Sequence, residues 1–135
     1  MWHHFTLTVP ADTAVSEPAE LEMEVTAGVI KYIGVVHPRG VKAMVGTRIF
    51  YHEHQIFPNN PEEAARGDGA VEGGEVHLAL TEPPFILIAR GDSPGTSYSH
   101  DIPVLVNILP FEAAEPWKAQ SPLLTRIART LGIGG

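Results

Sequence analysis

The sequence contains no cysteine. Disulfide bonds, thiolate nucleophiles and cysteine-based zinc or iron–sulfur sites are therefore excluded. The fold must be stabilised by packing, with oligomerisation as a second source of buried surface. Because a chain without cysteine is compatible with any compartment, redox conditions say nothing about location.

Basic residues are scarce. Nine Lys and Arg stand against sixteen Asp and Glu, and the net charge is −7. No run of basic side chains is present that would attract a phosphate backbone. We therefore expect no nucleic-acid partner.

Long apolar runs are also missing. Residues 85–89 form one of the longest, far short of the roughly 20 residues that span a bilayer. The first five residues, MWHHF, have neither the basic nor the apolar region of a signal peptide. We expect no membrane partner, and a cytoplasmic location unless the protein is part of a virion.

The common catalytic motifs are absent. The chain has no Gly-x-Ser-x-Gly elbow, no phosphate-binding loop and no dinucleotide fingerprint. Ser99, His100 and Asp101 are neighbours, but adjacent strand residues point to opposite faces, so this His and Asp are poorly placed to pair. We expect a protein that is not an enzyme and holds no cofactor.

Glycine, proline and alternating hydrophobicity are what the chain has in quantity. Thirteen glycines and twelve prolines among 135 residues indicate many short strands joined by turns. Residues 20–26 alternate glutamate with Leu, Met and Val, which predicts a strand with one wet face. Val41–Tyr51, with a bulge at Gly46, the central run Phe85–Ala89, and Ile102–Leu109, with Pro103 at a sheet edge, are further predicted strands.

About eight such segments predict one all-β domain over residues 1–110. Turn signals between them favour an antiparallel β-sandwich, and eight is also the strand count of a jelly roll. No helix-length crossover that parallel neighbours would need separates the segments.

Residues 111–135 form a predicted C-terminal arm with a short amphipathic helix. Ser121 and Pro122 resemble a helix start. The apolar stripe consists of Leu123, Leu124, Ile127, Ala128 and Leu131. Because a helix of about ten residues is marginal alone, we expect the stripe to dock, either on its own sandwich or on a neighbouring subunit.

Two histidines lie close together in His52-Glu53-His54. On one face of a strand, two such imidazoles can grip a metal. With Gly46 upstream, the segment resembles the opening of the first cupin motif, and cupins are jelly rolls. The family's glutamate does not follow at its usual spacing, and His100 is followed by Asn107 after seven residues rather than four. A cupin-like metal-dependent enzyme using His52, His54 and His100 is one alternative function.

Two Arg-Gly-Asp triplets occur, at residues 66–68 and 90–92. An exposed triplet can bind integrins in extracellular animal settings. Since Gly-Asp is ordinary turn chemistry, we interpret both triplets as turns.

Apolar side chains near both termini are candidate contacts with a partner. Tryptophan outside a core is a common interface anchor. The predicted interface residues are Trp2, Phe5, Trp117, Leu124, Ile127 and Leu131.

The chain as a whole resembles the small β-sandwich structural proteins of virions, such as head-decoration and minor capsid proteins of tailed phages. The segments that suggest this are Ile56–Pro61, Glu82–Ile88 and the close of the last strand at Leu109-Pro110. The resemblance implies a non-enzymatic protein that forms homo-oligomers and docks on a larger assembly, such as a capsid lattice. It would then be located in the virion.

A third possibility is a β-sandwich module that binds a glycan or a peptide. Such a module needs an exposed aromatic platform. The candidates in the sequence are Tyr32, Phe50, Tyr51 and Tyr98.

Overall fold

A computed structural model describes residues 1–41, 44–60 and 63–111. Within them the chain forms eight strands, as the alternation predicts. They are β1 (Trp2–Val9), β2 (Ala19–Glu24), β3 (Gly28–His37), β4 (Gly46–Tyr51), β5 (His54–Phe57), β6 (Ala70–Leu80), β7 (Ile86–Asp92) and β8 (His100–Leu109). The all-β class is confirmed, whereas the predicted C-terminal helix lies outside the described residues.

The strands form two four-stranded antiparallel sheets. Sheet I has the order β1-β8-β3-β6, and sheet II has the order β2-β7-β4-β5. Each strand of the first half pairs with one of the second half: β1 with β8, β2 with β7, β3 with β6, and β4 with β5. The edge strands β5 and β6 follow one another along the chain, one in each sheet.

The core lies between the two sheets and takes side chains from both. Strand β2 shows why: Met23 is buried while its glutamate neighbours are exposed, because successive side chains point to opposite faces. The largest buried core side chains are Leu7, Met23, Ile30, Ile33, Ile49, Leu80, Leu87, Ile102 and Ile108. The interior is therefore lined by aliphatic residues of both sheets.

Strand β7 is the central strand that the apolar run 85–89 predicts. It lies between β2 and β4 in sheet II, and Leu87 and Ala89 are fully buried. The strand continues beyond this run through Asp92.

Two expectations about strand limits are wrong. Strand β4 begins only at Gly46, which is its first residue rather than a bulge, and Val41 and Val45 are core residues outside any strand. Strand β8 is internal, between β1 and β3. Its pairing with β3 ends at Val104, so the missing N–H of Pro103 interrupts no ladder on that side.

No helix within the described ranges is long and apolar enough to cross a membrane.

Candidate functional site

His52 and His54 do not share a strand face, contrary to the prediction. His52 and Glu53 form the turn of the β4–β5 hairpin, in which Tyr51 pairs with His54. His52 has a left-handed backbone, with φ of 55°, and its Nε2 lies 3.2 Å from the backbone oxygen of Glu82. Its ring is therefore positioned by a backbone contact.

His100 lies at the other end of the sandwich. It is the first residue of β8, and its ring packs 4.7 Å from that of Tyr98. Val29 pairs with both Ala79 and Leu109, so the β6 end near Glu82 is level with the far end of β8, roughly 30 Å from His100. The three predicted metal ligands are not brought together, and the described ranges contain no group of three or more His, Asp or Glu placed to hold a metal ion.

An open groove runs along the side of the sandwich where both sheets end. Two adjoining clefts, of about 750 and 300 Å³, share Ile56 and Leu78. We call their union the β5–β6 groove; its lining includes Tyr51, His52, Glu53, His54, Ile56, Glu75, Val76, Leu78 and Glu82. The groove lies between β6, an edge strand of sheet I, and β5, an edge strand of sheet II.

The groove has an apolar floor and an acidic rim. Ile56, Val76 and Leu78 are half-buried and pack against the core. Glu53 and Glu82 are exposed. This arrangement suits a partner with an apolar stripe flanked by positive charge.

The last strand ends close to this groove. Leu109 of β8 and Ala79 of β6 both pair with Val29, so they are two strand spacings apart, about 10 Å. Beyond Pro110, Phe111 is half-buried. The chain therefore enters its C-terminal segment near the groove.

A buried polar cluster links several segments at the end of the sandwich opposite the β4–β5 hairpin turn. Asp92 is 1% exposed and accepts hydrogen bonds from Arg48 Nη1 at 3.2 Å and Arg66 Nη2 at 3.5 Å. Residue 66 is brought there because Thr47 and Ala65 exchange both backbone hydrogen bonds. Three separate segments thus meet at one carboxylate.

His37 belongs to the same end and is fully buried. Its Nε2 lies 3.3 Å from Thr47 Oγ1, and its Nδ1 has no hydrogen-bond partner among the described residues. Burial lowers the pKa of His37; Glu72 opposes the shift and Arg66 adds to it. The imidazole is therefore held neutral at ordinary pH.

The two Arg-Gly-Asp triplets both contribute to the Asp92 cluster. Arg66 of the first contacts Asp92 of the second. The second triplet is part of strand β7 rather than a turn, and a Cβ at Gly91 would lie 2.6 Å from Val9 Cγ2. Sequence reasoning missed the link between the triplets, since nothing in either one indicates the other as its partner.

Of the predicted interface residues, the structure describes two. Trp2 begins β1 and is 60% exposed, with its ring 5.7 Å from that of Tyr32. Phe5 is half-buried and packs against the core. Trp117, Leu124, Ile127 and Leu131 lie outside the described residues.

The four candidate platform aromatics are scattered. Tyr32 lies beside Trp2 on the outer face of sheet I. Arg90 covers Phe50, with its guanidinium carbon 4.5 Å from the ring centroid. Tyr51 donates a hydrogen bond to the Glu82 carbonyl, and Tyr98 is 58% exposed beside His100. Among the described residues, Tyr32 is the one of the four whose ring contacts an exposed tryptophan.

Comparison with known proteins adds no family assignment. No protein-family model matches the chain, and no curated protein matches it at a significant level. The function must be inferred from the residues and surfaces described above.

Proposed function

We propose that the protein is a non-enzymatic assembly protein: a jelly roll that forms homo-oligomers and decorates a larger lattice such as a capsid. The jelly roll is supported by the pairing of β1–β4 with β8–β5, which is the pattern of one long antiparallel ribbon rolled into two sheets. Eight-stranded jelly rolls are common in capsid proteins.

The observation that carries the assembly proposal is the β5–β6 groove and its complement in the C-terminal segment. The apolar stripe, which includes Leu124, Ile127 and Leu131, is accompanied by Arg126 and Arg129. Its apolar side chains match the groove floor, and its two arginines match the glutamates of the rim. We propose that the C-terminal segment of one copy fills the groove of a neighbouring copy.

A connection of this kind links each copy to two neighbours. Each copy contributes one arm and receives one, which is a heterologous contact that generates rings when the rotation closes. The edges of β5 and β6, which would otherwise be open to uncontrolled strand pairing, are covered at the same time.

Native mass spectrometry at near-neutral pH tests the arm. The full chain is expected to form a defined trimer or larger oligomer. Replacing Leu124, Ile127 and Leu131 by Ser is expected to yield monomers, because the stripe loses its apolar surface. Replacing Thr125 and Thr130 by Ser is the matched control, since these arm residues lie off the stripe, and it should leave the mass unchanged.

A charge swap tests the groove and distinguishes exchange between copies from docking within one copy. Chains with Glu53→Lys and Glu82→Lys, or with Arg126→Glu and Arg129→Glu, should each assemble weakly. Mixed, the two variants should form hetero-oligomers in which they alternate, so that closed rings contain equal numbers of both. Monomers that do not assemble on mixing would contradict the proposal and indicate an arm docked on its own sandwich.

A further inference from the structure

We propose that the outer face of sheet I carries a shallow binding site for a neutral hexose oligosaccharide. The site is the corner between Trp2 and Tyr32, whose ring centroids are 5.7 Å apart with an interplanar angle of 63°. One ring thus stands steeply against the other. Such a corner presents two aromatic surfaces to a flat ligand.

Glycines allow Tyr32 to lie close to the sheet. A Cβ at Gly34 would lie 2.8 Å from Tyr32 Cε1, and a Cβ at Gly73 would overlap the Tyr32 hydroxyl. These glycines pair with each other across β3 and β6. The ring therefore lies across two glycines of neighbouring strands, and the side chain is half-buried.

Polar side chains extend the corner in one line across the sheet. Asn107 pairs with both Trp2 and Tyr32, and Tyr32 pairs with Glu75. The alternation places all four side chains on the outer face of sheet I. The row therefore reads Trp2, Asn107, Tyr32, Glu75 from one edge of the sheet to the other.

A small cleft lies at the β6 end of this row. It has a volume of about 480 Å³ and is lined by Lys31, Glu75 and His77, with Val76. Lys31 Nζ lies 2.9 Å from His77 Nδ1. The corner and the cleft together span strands β1 to β6.

This chemistry fits a neutral sugar. The electron-rich face of an aromatic ring attracts the polarised C–H groups on the flat side of a pyranose. The Asn107 side chain can donate hydrogen bonds to sugar hydroxyls and accept them from sugar hydroxyls. The Glu75 carboxylate accepts hydrogen bonds, and the Lys31 ammonium group donates them. Because Lys31 and Glu75 cancel in charge, the site favours a neutral ligand over a charged one.

The test uses the tryptophan in the corner as the reporter. In a Trp117→Phe background, Trp2 is the only tryptophan left. Cello-, xylo-, manno-, galacto- and chito-hexasaccharides are titrated separately while the fluorescence is recorded. We expect at least one sugar to give a saturable change, with a dissociation constant on the order of 0.1–1 mM.

Substitutions then locate the site, with binding measured by calorimetry. Trp2→Ala, at an exposed position that tolerates truncation, and Tyr32→Ala should each weaken binding by about tenfold or more. Glu75→Gln, which leaves the packing intact, should weaken it severalfold. Tyr98→Ala removes an exposed tyrosine elsewhere and should bind like the parent protein.

Three outcomes would overturn the inference: no sugar in the panel binds, binding survives Trp2→Ala unchanged, or the Trp2 signal follows protein concentration instead of sugar. The last would identify the face as a contact between copies. The variant with Ser at residues 124, 127 and 131 keeps the corner intact, so it should bind sugar whether or not the arm drives assembly.

Discussion

Individual residues in this protein contact several segments of the chain at once. Asp92 accepts contacts from Arg48 and Arg66, which come from different parts of the chain. Gly91 leaves room for the core side chains of β1. His37 is buried beside Thr47 with one ring nitrogen unsatisfied among the described residues. An unsatisfied buried nitrogen costs free energy, and it also makes protonation of the folded state unfavourable.

The pH dependence of stability is the prediction at this scale. Burial lowers the pKa of His37, and burial together with the N-terminal charge lowers that of His3. The unfolded chain therefore binds more protons than the folded chain over the pH range in which these two histidines titrate. As the pH falls below the ordinary value of 6.5, the free energy of unfolding should decrease, by at most about 1.4 kcal/mol per pH unit for each histidine.

Urea denaturation between pH 8 and pH 5 measures this slope. His37→Gln should flatten it, whereas His54→Gln, at an exposed position of β5, should leave it as in the parent protein. Equal slopes in the parent and in His37→Gln would show that His37 is not the group responsible.

At the scale of elements, the two ends of the sandwich differ in what holds them. The Asp92 end is tied by buried charge and by the Thr47–Ala65 bridge. The opposite end holds the β4–β5 hairpin turn and the exit of β8. Loop residues are thus fixed at one end, while a groove stays open along β5 and β6.

Removing the buried carboxylate should cost much more than removing an exposed one. Asp92→Asn leaves two arginines without their counter-charge, and we expect a loss of about 2–4 kcal/mol, reduced because both arginines reach solvent. Glu20→Gln breaks the exposed ion pair with Arg90, 2.8 Å long, and should cost about 0–1 kcal/mol. Chemical denaturation measures both, and similar losses would refute the structural role of Asp92.

At the scale of the whole molecule, three surfaces have different centres, and the groove and the sugar site adjoin at Glu75, Val76 and His77 of β6. The β5–β6 groove occupies one side, the Trp2–Tyr32 corner lies on the outer face of sheet I, and His100 lies at the end away from His52. Trp2 and Tyr32 do not line the groove, so their substitutions test sugar binding independently of assembly. The cupin-like alternative would need ligands from two ends of the molecule.

The expected metal content of the protein follows from the distance between His100 and His52. After incubation with equimolar Zn²⁺ or Ni²⁺ and desalting, native mass spectrometry of the full chain is expected to show no bound ion. The two exposed imidazoles of His52, in the turn, and His54, in β5, make a weak site. A stoichiometric metal that disappears in His52→Ala would instead support the cupin-like enzyme.

Much of the fold could be predicted from local patterns. The alternation in β2 and the apolar run in β7 each determine a strand and its buried face, because side chains in a strand alternate with a period of two. The limits of β4 and the position of β8 could not be derived this way. Whether Val41 or Pro103 lies in a ladder depends on partners far away in the chain.

The candidate sites show the same division. Sequence alone determined the all-β class and the solvent-facing glutamates of β2. Tertiary structure decided that His52 lies in a turn, that Arg66 meets Asp92, and that Trp2 meets Tyr32 over glycines of neighbouring strands. The physical reason is that strand pairing joins residues up to about a hundred positions apart, and no local periodicity records such a pairing.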